Sequence, residues 1–302
     1  MAMVKVNGVR LFYELDGTPG AVPLVLVHGS WDSHQDWDPL MPALREAFHV
    51  VRYDRRGHSQ SERPTGPGSV REDVADLAAL IEYLELAPAW VVGNSFGASI
   101  ALRLAGEHRG LVRGVVAHEP PLFSLLADAP NLSPMLAEVQ SKIESVAERI
   151  ESGDHAGATE EFVETVALGP GTWETVPPDY QQVMIENAPT FLDEAKDPDA
   201  SAFELDWISN FSKPVLLTLG DQSPPMFAPV ATRLSEALPR AEVATVPGAG
   251  HIPHATHPEV YFEAVAAFVR QHTTRLRPVK TWVAMFDTAP KEERSKREDM
   301  GE

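Results

Sequence analysis

Apolar positions along this chain fall into two alternating patterns, short continuous runs and spaced stripes. Pro23–His28 (PLVLVH) is a continuous run, as expected of a strand covered on both faces, and it ends at Gly29-Ser30. Val50–Tyr53 reads as a second buried strand, followed by the polar loop DRRGHSQSERP. Val9–Glu14 reads as a shorter strand ending at the Asp16-Gly17 turn. Val70, Val74, Leu77, Ile81 and Leu84 recur at helical spacing and form one stripe. Ser69 and Glu72 before it have the spacing of a capping box, and Pro88 lies beyond its end. A strand at Ala89–Gly93, a helix from Ser95 to about His108 closed by Gly110, and a strand at Val112–His118 follow. This alternation predicts a mostly parallel central sheet with helices on both faces.

The rhythm breaks between Pro121 and Asn210, where helical patterns and proline-rich turns replace strands. Ala137–Ile150 is one such helix. The stretch predicts a helical cap inserted over the sheet. Its Phe123, Trp173, Tyr180, Phe191 and Trp207 are expected mostly in the cap core, some of them as pocket walls, with Trp173 taken as a substrate contact. Alternation resumes with a strand at Pro214–Leu219, a helix near Ala228–Leu238 and a strand at Ala241–Val246. The last helix opens with Pro258, a favoured first-turn residue, and runs to about His272. The expected organisation is a core domain of residues 1–120 and 211–272, a cap of residues 121–210, and a charged tail of residues 273–302. The tail ends KEERSKREDMGE and is expected to be loosely ordered, with the apolar patch TWVAMF as a candidate docking segment. No internal repeat is visible.

Composition narrows the function. With 302 residues and 43% hydrophobic content, the chain can bury one large core. The formal net charge of -19 repels phosphate backbones and anionic membrane surfaces. Nucleic acid and membrane are therefore excluded as expected partners, and a small-molecule substrate is left. The chain holds no cysteine, so no thiol nucleophile, disulfide or cysteine metal site is expected. No signal-like apolar start and no bilayer-length run occurs, so a soluble cytoplasmic protein is expected.

Gly93-Asn94-Ser95-Phe96-Gly97 fits G-x-S-x-G. The pattern alone is a modest signal. Its setting strengthens it, because an apolar strand precedes it and a helix opens from it, as a nucleophile elbow requires. Glycines on either side remove Cβ atoms that would clash in so tight a turn. A serine hydroxyl needs a base, and His251 in Pro247-Gly248-Ala249-Gly250-His251 follows a late strand on a glycine-bearing loop. His251, His254 and His257 are spaced H-x2-H-x2-H, but Pro253 and Pro258 disfavour one regular helix through all three. No metal is expected, and His254 and His257 read as loop or cap residues. An oxyanion needs backbone N–H donors. Phe96 supplies one, and Ser30, directly after His28-Gly29, is placed for the other. Trp31 reads equally as a wall of the acyl pocket or as core.

HGSWDS, YDRRGHSQSE, VVGNSFGAS, PVLLTLGDQSPP and VPGAGH together resemble the α/β-hydrolase family, over roughly Val4 to His272. The resemblance implies the α/β-hydrolase fold, a serine–histidine–acid triad and no cofactor. One departure concerns the acid. Many members carry it after the strand that follows the cap, in a pattern like G-x-x-D. Here Gly220 is followed by Asp221, Gln222 and Ser223, so the acid position holds serine. A second location in the family is the end of the strand after the nucleophile helix, where this chain has Glu119 in HEPP. Haloalkane dehalogenases and zearalenone-lactone hydrolases place a glutamate this way, and HEPP is similar to the latter. Glu119 is the preferred acid and Asp221 the alternative.

Aspartate-nucleophile chemistry is disfavoured because position 95 is serine. Serine suits acyl transfer through an acyl-enzyme. The expected function is hydrolysis of a carboxylic ester or lactone with a bulky, largely apolar acyl group. The alternatives are a C–C bond hydrolase acting on a ketone-type substrate, and a ligand receptor without turnover. A perhydrolase-like side activity is compatible with the same triad.

Overall fold

The structure is a computed structural model and describes residues 1–273. Eight strands form one sheet in the order β1-β2-β4-β3-β5-β6-β7-β8. They are β1 (Ala2–Val6), β2 (Val9–Gly17), β3 (Pro23–Val27), β4 (His49–Tyr53), β5 (Ala89–Asn94), β6 (Val112–His118), β7 (Val215–Gly220) and β8 (Ala241–Val246). β1 and β2 pair antiparallel, and β2 joins β4 antiparallel. All later pairings are parallel. β1 escapes the sequence reading because its alternation is only five residues long, with Val4 and Val6 buried and Lys5 exposed.

Alternation along each strand feeds two cores. Val25, Val27, Val91, Val115 and Leu217 point to one face. There they meet α2 (Val70–Tyr83), α3 (Phe96–Glu107) and a later helix, Phe227–Ala237. Leu24, Leu26, Val92, Val116 and Leu216 point to the other face, against Met41–Ala47 (α1) and the helix Pro258–Gln271. Ser69 caps α2 by accepting from the Glu72 N–H, as its spacing predicts. Such a cap contributes about 1 kcal/mol.

Between β6 and β7 the described residues contain no strand. They form α4 (Ser133–Glu151), α5 (His155–Phe162), α6 (Pro178–Asn187), α7 (Phe191–Lys196), α8 (Pro198–Ser201) and α9 (Leu205–Ser209). The insertion has two parts. Val146, Ile150, Ala158, Ala188 and Phe191 form their own small core around Trp31. Ala200, Phe203, Ile208 and Phe211 instead join the main core. Arg103 of α3 fixes this second part by donating to the carbonyls of Asp199, Ala200 and Ala202. Trp207 sits here, beside Phe203. After β7 come α10 (Phe227–Ala237), α11 (Pro253–Thr256) and α12 (Pro258–Gln271). No helix among the described residues is long and apolar enough to cross a membrane. The patch TWVAMF lies outside the described residues.

Candidate active site

The turn from β5 into α3 is as tight as its glycines imply. A Cβ on Gly93 would lie 2.4 Å from the Gly97 carbonyl oxygen, and one on Gly97 would lie 2.2 Å from that of Val27. Any side chain at either position would push α3 off the sheet. Ser95 stands between them at φ 53°, ψ -120°. Such a conformation costs a non-glycine residue of order 1–3 kcal/mol, so the surrounding packing must enforce it. Its N–H donates to the His118 carbonyl on β6. Phe96 opens α3, where a backbone N–H has no partner within the helix.

His251 and Glu119 meet at the carboxyl end of the sheet. His251 Nδ1 lies 2.6 Å from Glu119 Oε2. The second oxygen, Oε1, accepts from the Gly220 N–H at 2.8 Å. The carboxylate is therefore held from both sides. Glu119 follows directly on β6 at φ 46° and is almost fully buried. Burial pushes its carboxyl up, but the hydrogen bond from His251 outweighs that and holds it below the ordinary range. Phe227 stacks on the His251 ring at 4.5 Å and 13°, which fixes the ring plane. Asp221 does not reach this histidine; exposed to solvent, it accepts from the Gly248 N–H and braces the histidine loop.

His118 is a neighbour the sequence reading passed over. Its Nδ1 is 3.0 Å from Thr218 Oγ1 and its Nε2 is 3.6 Å from Glu119 Oε2. Burial, against the pull of Glu119, lowers its pKa to about 3, so it is neutral beside the acid. Only its place before Glu119 in HEPP could have marked it. The ligand atoms of His118, Glu119 and His251 lie within 4.8 Å of one another. Two of them, His251 Nδ1 and Glu119 Oε2, are already joined by the hydrogen bond. The spaced set His251, His254 and His257 is not gathered. His254 lies in α11, not in a loop or the cap, where it is buried against Trp37 and bonded to Asp36. His257 bonds Thr256 at the start of α12.

Ser95, His251 and Ser30 open onto two chambers. One, of about 500 Å³, is walled mostly by apolar groups such as Val163, Leu168, Val176 and Met184, with Asp32 and Gln222 as polar points. The other, of about 600 Å³, is walled by Phe123, Leu136, Val139, Ile143, Met226 and Phe227. Burial, reinforced by Asp36, pushes the Asp32 carboxyl well above the ordinary range. Of the cap aromatics, Phe123, Tyr180 and Phe191 line a chamber.

Two candidate contacts are absent from the lining of both chambers. Trp31 is fully buried and lines neither chamber; it stacks at 5.0 Å on Phe162 and on Phe191, joining the loop after β3 to the cap. Its bulk serves cohesion. Trp173 also lines neither chamber, although Thr172 and Thr175 beside it do. Its backbone N–H donates to Glu164 and its carbonyl accepts from Gln181.

Behind the loop at residues 28–33 sits Arg55, fully buried. It donates to the Gly29 carbonyl, to Asp73 of α2 and to Glu194 of α7, and it lies 4.7 Å over the Phe96 ring. Sequence position gave no hint of this hub.

Residues 24–264 match a family described as "Alpha/beta hydrolase family". The chain is 27% identical over 263 residues to the 2-(acetamidomethylene)succinate hydrolase of Mesorhizobium japonicum, covering 83% of this chain and 89% of that protein. It is 28% identical over 283 residues to the non-heme chloroperoxidase of Streptomyces lividans, covering 87% and 97%. The fold is similar to the enol-lactonase of Burkholderia xenovorans LB400, with TM-score 0.73, 20% identity, and coverage of 89% and 99%. It is also similar to the bromoperoxidase of Bacillus anthracis, with TM-score 0.74, 25% identity, and coverage of 89% and 99%.

Proposed function

The chain belongs to the alpha/beta hydrolase family and is a hydrolase, and from that premise we propose that it cleaves a carboxylic ester or lactone with Ser95 as nucleophile, His251 as base and Glu119 as acid. The 2.6 Å bond between His251 Nδ1 and Glu119 Oε2, beside a strained Ser95 in one cavity, carries this reading. With Nδ1–H held by Glu119, His251 presents Nε2 to the serine proton. Ser95 Oγ attacks the carbonyl carbon as Nε2 takes that proton. The N–H groups of Ser30 and Phe96 receive the developing oxyanion. Collapse expels the alcohol, protonated by His251, and leaves an acyl-enzyme. Water, deprotonated by the same nitrogen, releases the acid and restores the serine. Asp221 braces the loop and takes no proton.

The two chambers support a substrate with a sizeable, largely apolar arm on each side of the carbonyl. An anionic arm does not suit them. Lys196 is the one ammonium or guanidinium among the described lining residues, and it is paired with Glu151. A buried carboxylate without a cation is costly. The substrate is therefore of another kind than the succinate in the name of the Mesorhizobium relative. The resemblance to the Streptomyces chloroperoxidase favours a second reading on the same serine. In it, hydrogen peroxide replaces water at the acyl-enzyme and a peroxy acid leaves.

The test is a panel of p-nitrophenyl and two-armed esters with wild type beside Ser95→Ala. Turnover that vanishes in Ser95→Ala, with two-armed neutral esters preferred over hemisuccinates, is the expected result. Turnover that survives Ser95→Ala sinks the assignment. Peroxide-dependent bromination in acetate, lost in Ser95→Ala, checks the second reading.

A further inference from the structure

The joint between α6 and α7 touches the loops below it through polar groups, where apolar packing would suffice for a lid. Asn187 is buried, with 2% of its surface exposed. Its Nδ2 donates to the backbone carbonyls of Trp31 and Asp32 and lies 3.0 Å from Ser59 Oγ. Its Oδ1 accepts from the Ser59 N–H at 2.8 Å. One cap side chain thus commits its hydrogen-bonding groups to two loops of the core. Trp31 and Ser59, both held at these contacts, have positive φ of 71° and 43°. Glu194 makes a second tie seven positions on. One carboxylate oxygen accepts from the Ser30 hydroxyl and the other from Arg55. Arg55 in turn holds the Gly29 carbonyl and covers the Phe96 ring. Both proposed oxyanion donors are therefore flanked by groups whose partners lie on the cap.

Loop 28–33 is further held by Trp31, buried and stacked on Phe162 and Phe191, which also belong to the cap. A loop with αL residues relaxes once the contacts that enforce it are removed. A donor shifted by a fraction of an ångström loses much of its effect on an oxyanion, because its strength depends on distance and direction. We propose that Asn187 and Glu194 are positioning residues for the oxyanion hole, so that seating of the cap on the core directs the Ser30 N–H into the site. The cap then acts on the transition state as well as enclosing substrate. This rests on the hydrolase reading with Ser30 as an oxyanion donor.

The experiment compares wild type with Asn187→Ala, Glu194→Gln and Ser30→Ala. Ser30→Ala keeps the backbone donor and cuts only its tie to Glu194, so it answers even where Asn187→Ala does not fold. The readouts are kcat and KM on p-nitrophenyl acetate, affinity for a trifluoromethyl ketone, and the rate of fluorophosphonate labelling of Ser95. A misdirected donor is expected to lower kcat about tenfold to a hundredfold, less than the ~10²–10³-fold of losing a donor outright. KM should stay within about threefold, and ketone affinity and labelling rate should fall in step with kcat. Glu194→Asp should recover part of the loss. Loss confined to KM, or a fall in kcat with ketone affinity unchanged, overturns the positioning role. Wild type that labels, with variants labelling as fast, overturns this inference alone. Wild type that does not label sinks the hydrolase reading and this inference with it.

Discussion

The sheet edge and the cap enclose the same two chambers, yet they are specified in different ways. At the edge, two of the three proposed catalytic groups stand on backbone that only a few residue types permit. Ser95 and Glu119 have φ of 53° and 46°, and Gly93, Gly97 and Gly220 have no room for a Cβ. In the cap, the chamber walls are ordinary apolar helix residues such as Val139 and Ile143, set by packing. The edge therefore fixes chemistry, and the cap fixes shape. The difference predicts that edge variants lose rate on every substrate, whereas wall variants change which substrate is preferred.

The largest expected effect lies at the edge. Glu119→Gln keeps the shape but cannot stabilise a His251 imidazolium, so kcat should fall about 10³–10⁴-fold, as when a triad acid is neutralised. Steady-state kinetics on p-nitrophenyl acetate measure it. A loss below about tenfold removes Glu119 from the triad.

The same contrast explains what could be read in advance. Ser95 and His251 were legible because each constraint leaves a trace in residue type: glycines about the elbow and glycines before the histidine. The strands from Pro23 to Val246 were legible through continuous apolar runs, and the capping box at Ser69 through its spacing. The cap left a trace of its helices, such as α4, but none of which side chains face the site. Trp31 and Trp173 could be placed only by their stretch of chain, which says nothing about which way a side chain faces. Arg55 was missed because its partners Asp73 and Glu194 lie 18 and 139 positions away. Asn187 was missed for the same reason, with Trp31 a full 156 positions off.

Acid should separate the regions next. His28 is buried, with Nε2 accepting from the Arg55 N–H, so Nδ1 donates to the Gly29 carbonyl and the ring is neutral. Burial, with Arg55, lowers its pKa to about 4; burial, against Glu119, takes His118 to about 3. In the unfolded chain both take a proton below about pH 6.5. The unfolded state then binds more protons than the folded one, so stability is full above about pH 6.5 and falls toward pH 4. Each ring contributes a slope of up to ~1.4 kcal/mol per pH unit. Glu194 in the cap has the opposite sign, because burial raises its carboxyl despite Arg55. Urea midpoints between pH 7 and pH 5 should fall, and a flat profile would contradict this account of the edge.

Wall variants should give a smaller and selective effect. Val139→Trp fills the chamber of about 600 Å³ and Val176→Trp that of about 500 Å³. Each should lower kcat/KM about 10–100-fold for esters whose arm needs the filled chamber, and little for the acetate. Paired assays on esters with one long arm each read this out. Equal losses on all esters would mean that the walls, too, act on the chemistry.

The smallest effect is expected where the edge carries a second carboxylate. Asp221 Oδ1 accepts from the Gly248 N–H at 2.8 Å on the exposed surface. In the Asp221→Asn variant the amide oxygen would be the same acceptor without the charge, so the loop keeps its brace. A hydrogen bond of this kind contributes about 0.5–1.5 kcal/mol when it is removed entirely. Weakened and not removed, it should lower kcat less than about fivefold and leave the pH profile unmoved. Glu119→Gln measured beside it makes the pair decisive, because the two side chains flank the same histidine loop. Full activity in Glu119→Gln with loss in Asp221→Asn would exchange their roles, and would mean that the bond between His251 and Glu119 is structural.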